Sequence, residues 1–398
     1  MAITPSQHGE TRRAQSLTRR HTLNQRTLGS TGISVSEIGL GTEFLLGVPR
    51  HDVVRVVAEA IESGINYVDM FWAHPQFRDN LGAAFRGRRE DVVITAHLGS
   101  TMKGDQYAIS RDPKVCTDFF HDYLTRMQTD HADIVFLHNC NKPEDYDTVI
   151  SPGGLLELAQ SFVKQGKAHF VGFSSHNVAT ALRAIESGAI DVLMFPVNLA
   201  SYAVPGKKEL LPTCAKHRVG LVAMKVFGGG SLLRDKRIVE LEDYQMGRQQ
   251  MPGAPSHYDK PAEITPVQCL AYALNQPQVA TTVPGCKSVD ELHDALRYYT
   301  ASEQEKDYRH ILPAFAQFAT GECVYCNHCL PCPAKIDIGR LISLLEQGKR
   351  ELTDEIRSSY EELSSKATDC TECGQCSKRC PFGVDVVGKM QEAVALFG

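Results

Sequence analysis

The chain has 398 residues, 13 cysteines, a formal net charge of −5 at pH 7 and 42% hydrophobic residues. That length exceeds one ordinary domain, but a closed α/β barrel of about 250 residues plus a small appended module would account for it. The acidic balance argues against a nucleic acid as partner, and no apolar run approaches the roughly 18 residues of a membrane span. A cytoplasmic protein acting on a small molecule is the expectation.

Residues 1–24 are polar and read as a disordered arm. Within it, Thr18-Arg19-Arg20-His21-Thr22-Leu23 has the look of a twin-arginine signal, yet no apolar stretch follows. A hairpin is expected over residues 25–35. From there, short β-branched runs alternate with amphipathic stretches, the repeat of βαβ units that close a parallel sheet. Strands are predicted at residues 37–41, 65–69, 92–97, 133–138, 168–173, 192–197, 219–224 and 280–283, giving a (β/α)8 barrel over residues 25–302. The longest interruption, residues 226–264, is rich in Gly, Pro and charge, which favours a functional loop. An eighth helix is expected at 289–299 and a polar helix at 302–318. Residues 303–398 then form a second, mostly α-helical domain, with helical sequence over 338–366.

Chemistry in such a barrel gathers where strands end. Asp69 closes the second predicted strand, with His74 five residues on; His97 closes the third, and His138 the fourth, with Cys140 behind it. Ser174, Ser175 and His176 follow the fifth, Asn198 the sixth, Lys225 the seventh and Lys287 the eighth. A single histidine at a strand end is often a structural residue. Three beside an aspartate on neighbouring strands are expected to share one mouth, so Asp69, His74, His97 and His138 make the predicted pocket.

Eight cysteines crowd the C-terminal fifth as Cys323, Cys326, Cys329, Cys332 and then Cys370, Cys373, Cys376, Cys380, each run followed by proline. The first run reads C-x2-C-x2-C-x2-C-P and the second C-x2-C-x2-C-x3-C-P, like the motifs of bacterial two-cluster ferredoxins, in which the fourth cysteine of each run ligates the other run's cluster. The pattern predicts one 4Fe-4S cluster on Cys323, Cys326, Cys329 and Cys380 and a second on Cys370, Cys373, Cys376 and Cys332. Structural zinc prefers isolated CxxC pairs, and such dense spacing disfavours disulfides. Cys116, Cys214 and Cys269 are expected to be buried thiols.

Several motifs carry a resemblance. They are Arg26-Thr-Leu-Gly-Ser-Thr-Gly-Ile-Ser-Val-Ser36 with Gly39-Leu-Gly41, Gly64-Ile-Asn-Tyr-Val-Asp69, Phe136-Leu-His138, Val171-Gly-Phe-Ser174 and Val283-Pro-Gly-Cys-Lys-Ser288. On these, most of residues 25–300 resemble an aldo-keto reductase. With Gly172-Phe-Ser-Ser-His176, Met224-Lys-Val-Phe-Gly-Gly-Gly230 and the cysteine tail, the chain is similar to a subgroup carrying a C-terminal ferredoxin-like domain. The resemblance implies a catalytic set of aspartate, tyrosine, lysine and histidine, in which the tyrosine protonates a carbonyl oxygen while NADPH delivers hydride. Asp69 and His138 match the set; His74 stands at the tyrosine position and His97 at the lysine position. A lysine is charged at neutral pH, whereas a histidine of reference pKa about 6.5 is mostly neutral unless a carboxylate holds its proton. The resemblance also implies an NADP(H) site, with Lys287 and Ser288 at the 2′-phosphate, Ser174 and Asn198 at the nicotinamide, and Lys225 and Gly285 in the same set. Met194 and Met224 replace the family's carboxamide-binding glutamine and its stacking aromatic, and Asp294 and Ala295 its adenine-side pair.

Three functional readings follow. In the first, the chain is an NAD(P)H-dependent oxidoreductase of a small carbonyl or alcohol, with His74 as general acid/base. In the second, His74, His97 and His138 hold a divalent metal (zinc, iron or manganese), with Asp69 or Cys140 as a further ligand or outer partner. In the third, the barrel is a non-catalytic electron carrier. Nicotinamide transfers two electrons at once and a 4Fe-4S cluster one. Either the clusters are structural, or the barrel centre does one-electron chemistry, or an outside ferredoxin or flavoprotein supplies electrons.

Overall fold

The structure, a computed structural model, describes residues 23–201, 207–233, 264–311, 323, 329–350, 352–380 and 383–398. An antiparallel hairpin, β1 (Gln25–Thr27) and β2 (Ser34–Ser36), opens the chain. The barrel staves are β3 (Leu40–Gly41), β4 (Tyr67–Asp69) and β5 (Val93–Leu98), then, after a second hairpin of β6 (Ser100–Lys103) and β7 (Gln106–Ile109), β8 (Ala132–Leu137), β9 (Ala168–Ser174), β10 (Val192–Pro196), β11 (Gly220–Met224) and β12 (Val279–Thr282). Each pairs in parallel with the next, and bridges from Ile38 to Thr282 and from Gly41 to Gly285 close the ring. All eight staves fall within three residues of the predicted strands.

The staves are apolar because a parallel sheet covered by helices is buried on both faces. β8, Ala-Asp-Ile-Val-Phe-Leu, buries every residue but Asp133. The surrounding helices are α1 (Arg50–Glu62), α2 (Pro75–Ala84), α3 (Pro113–Met127), α4 (Pro143–Ile150), α5 (Leu155–Lys164), α6 (Val178–Glu186), α7 (Lys207–His217), α8 (Pro266–Leu274) and α9 (Val289–Leu296). Their starts are written locally. Asp112 caps α3 through the amides of Lys114 and Val115, Thr265 and Gln268 form a capping box on α8, and proline occupies the first turn of both.

The tail differs from expectation in two places. Of the polar helix predicted at 302–318, the described residues 302–311 form α10 (Glu303–Lys306), which ends where Asp307 turns extended and Arg309 folds back onto its carboxylate at 2.8–2.9 Å; residues 312–318 lie outside the described set. The helical stretch predicted at 338–366 divides into α11 (Ile338–Arg350) and α12 (Asp354–Glu361), where Thr353 caps a new start. Two further helices, α13 (Gln375–Arg379) and α14 (Val386–Phe397), complete it. Residues 1–22 of the predicted arm and 234–263 of the long loop also fall outside the described residues. No described helix is long and apolar enough to cross a membrane.

Candidate active site

Asp69 sits at the end of β4, where the backbone amide and hydroxyl of Thr42 both donate to its carbonyl. Its carboxylate Oδ1 accepts from Thr95 Oγ1 at 2.8 Å and lies 3.0 Å from His97 Nε2. His97 and His138 come from adjacent staves, since His97 pairs with Phe136 in the β5–β8 register and the His138 amide donates to Leu98 O. Their Nδ1 atoms are 2.9 Å apart, and His138 Nε2 lies 2.7 Å from the Tyr107 hydroxyl. Asp69, His97, His138 and Tyr107 thus form one unbroken hydrogen-bonded chain of buried groups. Gly172 makes room for it. A Cβ there would stand 2.3 Å from the Phe136 ring, and that ring packs 5.0 Å from His97.

Proton counting fixes the chain's polarity. A carboxylate only accepts, and a neutral imidazole carries one N–H. With Asp69 ionised, His97 Nε2 donates to Asp69, His138 Nδ1 donates to His97, and the Tyr107 hydroxyl donates to His138. Each link then holds a single proton. One added proton makes one of the two imidazoles an imidazolium and in either case turns the last link round, so His138 Nε2 donates to the tyrosine oxygen.

The chain borders a cavity of about 520 Å³ lined by Asp69, Phe71, His97, His138, Ser174, Met194, Met224 and Lys225, with the backbones of Gly41 and Gly285. Phe71 stacks on His138 at 5.6 Å. Lys225, held in a left-handed turn at φ 55°, contacts both carboxylate oxygens of Glu43 at 3.1–3.2 Å. His176 also lines the cavity; burial, and secondarily the charge of Lys225, push it down to about 3, so it is neutral at ordinary pH.

His74 is not part of this group. It is the N-cap of α2, its Nδ1 accepting from the Phe77 amide at 3.4 Å, and burial with the charge of Arg126 lowers its pKa. The predicted three-histidine metal set is therefore not assembled. Among the described residues, one group brings three candidate ligand atoms together, His131, Asp133 and His169, and it involves none of those histidines. Cys140 is buried with its thiol directed at backbone carbonyls and pushed up to about 11 by burial. The Asn198 amide donates to Lys225 O and its oxygen accepts from the Ser201 amide. Ser288 caps α9, and the Lys287 amide donates to Glu291.

Tyr107 was not singled out by the strand-end pattern. It stands on the hairpin of β6 and β7, whose turn at Gly104 (φ 63°) was the available signal.

In the C-terminal module, Cys332, Cys370, Cys373 and Cys376 line one cavity of about 360 Å³. The Glu372 amide donates to Cys370 Sγ at 3.4 Å, and Arg379 donates to the carbonyls of Cys329 and Pro331, joining the second cysteine run to the first. All the cysteines among the described residues are free thiols, with Cys116, Cys214 and Cys269 buried; Cys326 lies outside the described residues. The module meets the barrel at the same hairpin. The Gln106 side chain donates to Cys332 O and accepts from Cys332 N, at 3.5 and 3.3 Å.

The model of the Aldo/keto reductase family matches residues 37–311. The uncharacterized oxidoreductase YqkF of Bacillus subtilis (strain 168) is 23% identical over 288 residues, covering 69% of this chain and 90% of that protein. L-galactose dehydrogenase of Arabidopsis thaliana is 23% identical over 296 residues, covering 70% and 88%. In fold, the chain is similar to the holo form of aldo-keto reductase AKR11C1 from Bacillus halodurans, with a TM-score of 0.56, 21% identity, and coverage of 75% of this chain and 97% of that one. With a closed eight-stranded parallel barrel, a cavity at its strand ends and a family match across most of its length, this chain belongs to the aldo/keto reductase family and is an oxidoreductase of that type.

Proposed function

We propose that the protein interconverts a small carbonyl compound and its alcohol with NADP(H), using Asp69, His97, His138 and Tyr107 as its proton-handling group. The observation that carries this reading is the hydrogen-bonded chain along one wall of the cavity. The described residues fit the cofactor at two places. Met194, Met224 and Ser174 offer a largely apolar surface with one hydroxyl for the nicotinamide end, and Lys287, beside the α9 start that Ser288 caps, offers a cation for a phosphate. When bound, the cofactor supplies or takes the hydride at the substrate carbon.

The chain's own residues handle the proton. The link exposed toward the cavity is the one between His97 Nε2 and Asp69 Oδ1, since the Asp69 side chain is 11% accessible against 2% for His97. That link gives the proton to the carbonyl oxygen in reduction and receives it in oxidation. The proton given is the extra one of the protonated chain: His97 releases Nε2–H and keeps an Nδ1–H toward His138, while His138 Nε2 donates to Tyr107, which keeps its own proton throughout. Histidine suits this work near neutral pH, where its two protonation states are close in energy. Lys225 and Glu43 add a fixed ion pair at the cavity edge. The dehydrogenase name of the Arabidopsis relative is consistent with an alcohol as substrate.

The C-terminal module is proposed to hold two 4Fe-4S clusters, on Cys323, Cys326, Cys329 with Cys380 and on Cys370, Cys373, Cys376 with Cys332. Supporting this is the common cavity of the four thiols of the second set, drawn from both cysteine runs. The test is fluorescence titration of anaerobically purified protein with NADPH, alongside Lys287→Ala. The wild type is expected to bind and the variant to bind more weakly; a wild type that binds neither NADPH nor NADH refutes the reductase reading.

A further inference from the structure

At the N-terminal end of β8 and β9, opposite the cavity, lies a group that the chemistry above does not use. Ala132 pairs with Ala168 and Ile134 with Phe170, so Asp133 and His169 are cross-strand neighbours, and His131 lies two residues before Asp133 on the same face. Asp133 is held from one side. Its Oδ2 accepts from Arg89 and from the Ile94 amide, both at 2.8 Å, which leaves Oδ1 directed at His169 Nδ1 at 3.6 Å and His131 Nε2 at 4.0 Å.

The second nitrogen of His131 supplies an independent observation. Nδ1 lies 2.7 Å from Asp130 Oδ1, a carboxylate that only accepts, so Nδ1 carries a proton and Nε2 is the nitrogen that faces Asp133. A carboxylate gripping the far nitrogen of an imidazole is the arrangement that orients histidine ligands on metals. The three ligand atoms all lie within 4.8 Å of one another, and the two rings stand 4.5 Å apart. A tetrahedral ion with bonds of about 2.0–2.1 Å needs ligand atoms roughly 3.4 Å apart, so a tilt of either ring by about an ångström completes the set. Two carboxylates against one guanidinium leave the group net negative.

We propose that His131, Asp133 and His169 bind a zinc-class divalent cation, with water filling the remaining position. Two imidazoles and one carboxylate suit zinc and its neighbours better than calcium or magnesium. Bound there, the ion would staple β8 to β9 at the end of the barrel associated with stability rather than chemistry.

The test uses full-length protein purified anaerobically and stripped with a mild chelator, then titrated with zinc chloride beside His131→Gln and His169→Gln. The cysteine module and the cavity are common to all three proteins and cancel in the comparison. Wild type is expected to take up one more zinc than either variant, to gain melting temperature with zinc where they do not, and to show a nitrogen/oxygen shell at the zinc absorption edge for that extra ion. Equal uptake and equal thermal shifts in all three, or a sulfur shell for every bound zinc, overturns the proposal and leaves the group as ion pairs alone. His169 is half exposed, so its variant retains the fold even if His131→Gln does not.

Discussion

Replacing Tyr107 with phenylalanine removes one oxygen from the far end of the proton chain and leaves the ring in place. The ring is 1% exposed and packs edge-on against Phe71 at 6.0 Å and Trp72 at 5.4 Å, contacts that phenylalanine keeps. What disappears is the hydroxyl 2.7 Å from His138 Nε2. A buried acceptor that loses its donor costs about 1–3 kcal/mol of stability. Losing a positioned proton-transfer group costs about 10²–10⁴ in rate. The two effects separate in one experiment that follows NADPH oxidation with small aldehydes across pH and records thermal melts on the same samples. The proton-chain reading expects a modest fall in melting temperature with turnover down by at least about a hundredfold and an altered pH profile. Turnover of the same order as wild type, with an unchanged pH profile and only the melting temperature lowered, would refute it and make Tyr107 a packing residue.

His74→Ala should lower stability by about 0.5–2 kcal/mol through loss of the α2 cap, and His74→Asn, itself a good cap, should restore it, with turnover close to wild type in both. A hundredfold loss of turnover in the stable His74→Asn variant would return His74 to the chemistry. Cys332→Ser should remove roughly half of the iron and sulfide, since it breaks the set shared with Cys370, Cys373 and Cys376 and spares the other; full retention of iron would dissolve that grouping. His176 is held near 3 in the fold against 6.5 when free, so the unfolded chain binds its proton first. Its contribution is complete above about pH 6.5 and drains away as pH falls toward 3, by up to about 1.4 kcal/mol per pH unit. Melting curves of wild type and His176→Gln between pH 7 and 4 should therefore converge at the acid end, and parallel curves would contradict this.

Much of this was legible in the sequence because it depends on periodicity. Apolar runs alternating with amphipathic ones located all eight staves, and the polar residues closing the predicted strands picked out Asp69, His97 and His138. His74 misled for a physical reason that is also in the sequence: Pro75 follows it, and proline in a first helical turn makes the preceding residue a cap. Counting five residues from Asp69 follows chain distance, whereas the cap follows helix geometry. Asn198 was legible as a strand-end amide, but nothing local revealed that Ser201 and the Lys225 carbonyl would occupy it. Tyr107 was hidden because it reaches the cavity wall from an inserted hairpin rather than from a stave. For the cysteines, motif spacing joined Cys332 to a run 38 residues away in sequence, and those are the thiols that share a cavity.

The hairpin of β6 and β7 has a consequence for energetics at a distance. Neighbouring residues in a strand face opposite ways, so Gln106 grips the backbone of Cys332 while Tyr107 enters the barrel to reach His138. Two adjacent residues thus join the backbone of the tail to the hydrogen-bonded chain at His138. Linkage is reciprocal: if electron charge gained by the tail alters proton affinity in the barrel, a proton gained in the barrel alters the tail's electron affinity equally. A tenfold coupling corresponds to about 1.4 kcal/mol, or about 59 mV for a one-electron centre. The midpoint potential of the proposed clusters would then drift with pH, and shortening Gln106 to alanine would flatten that drift without touching any cysteine.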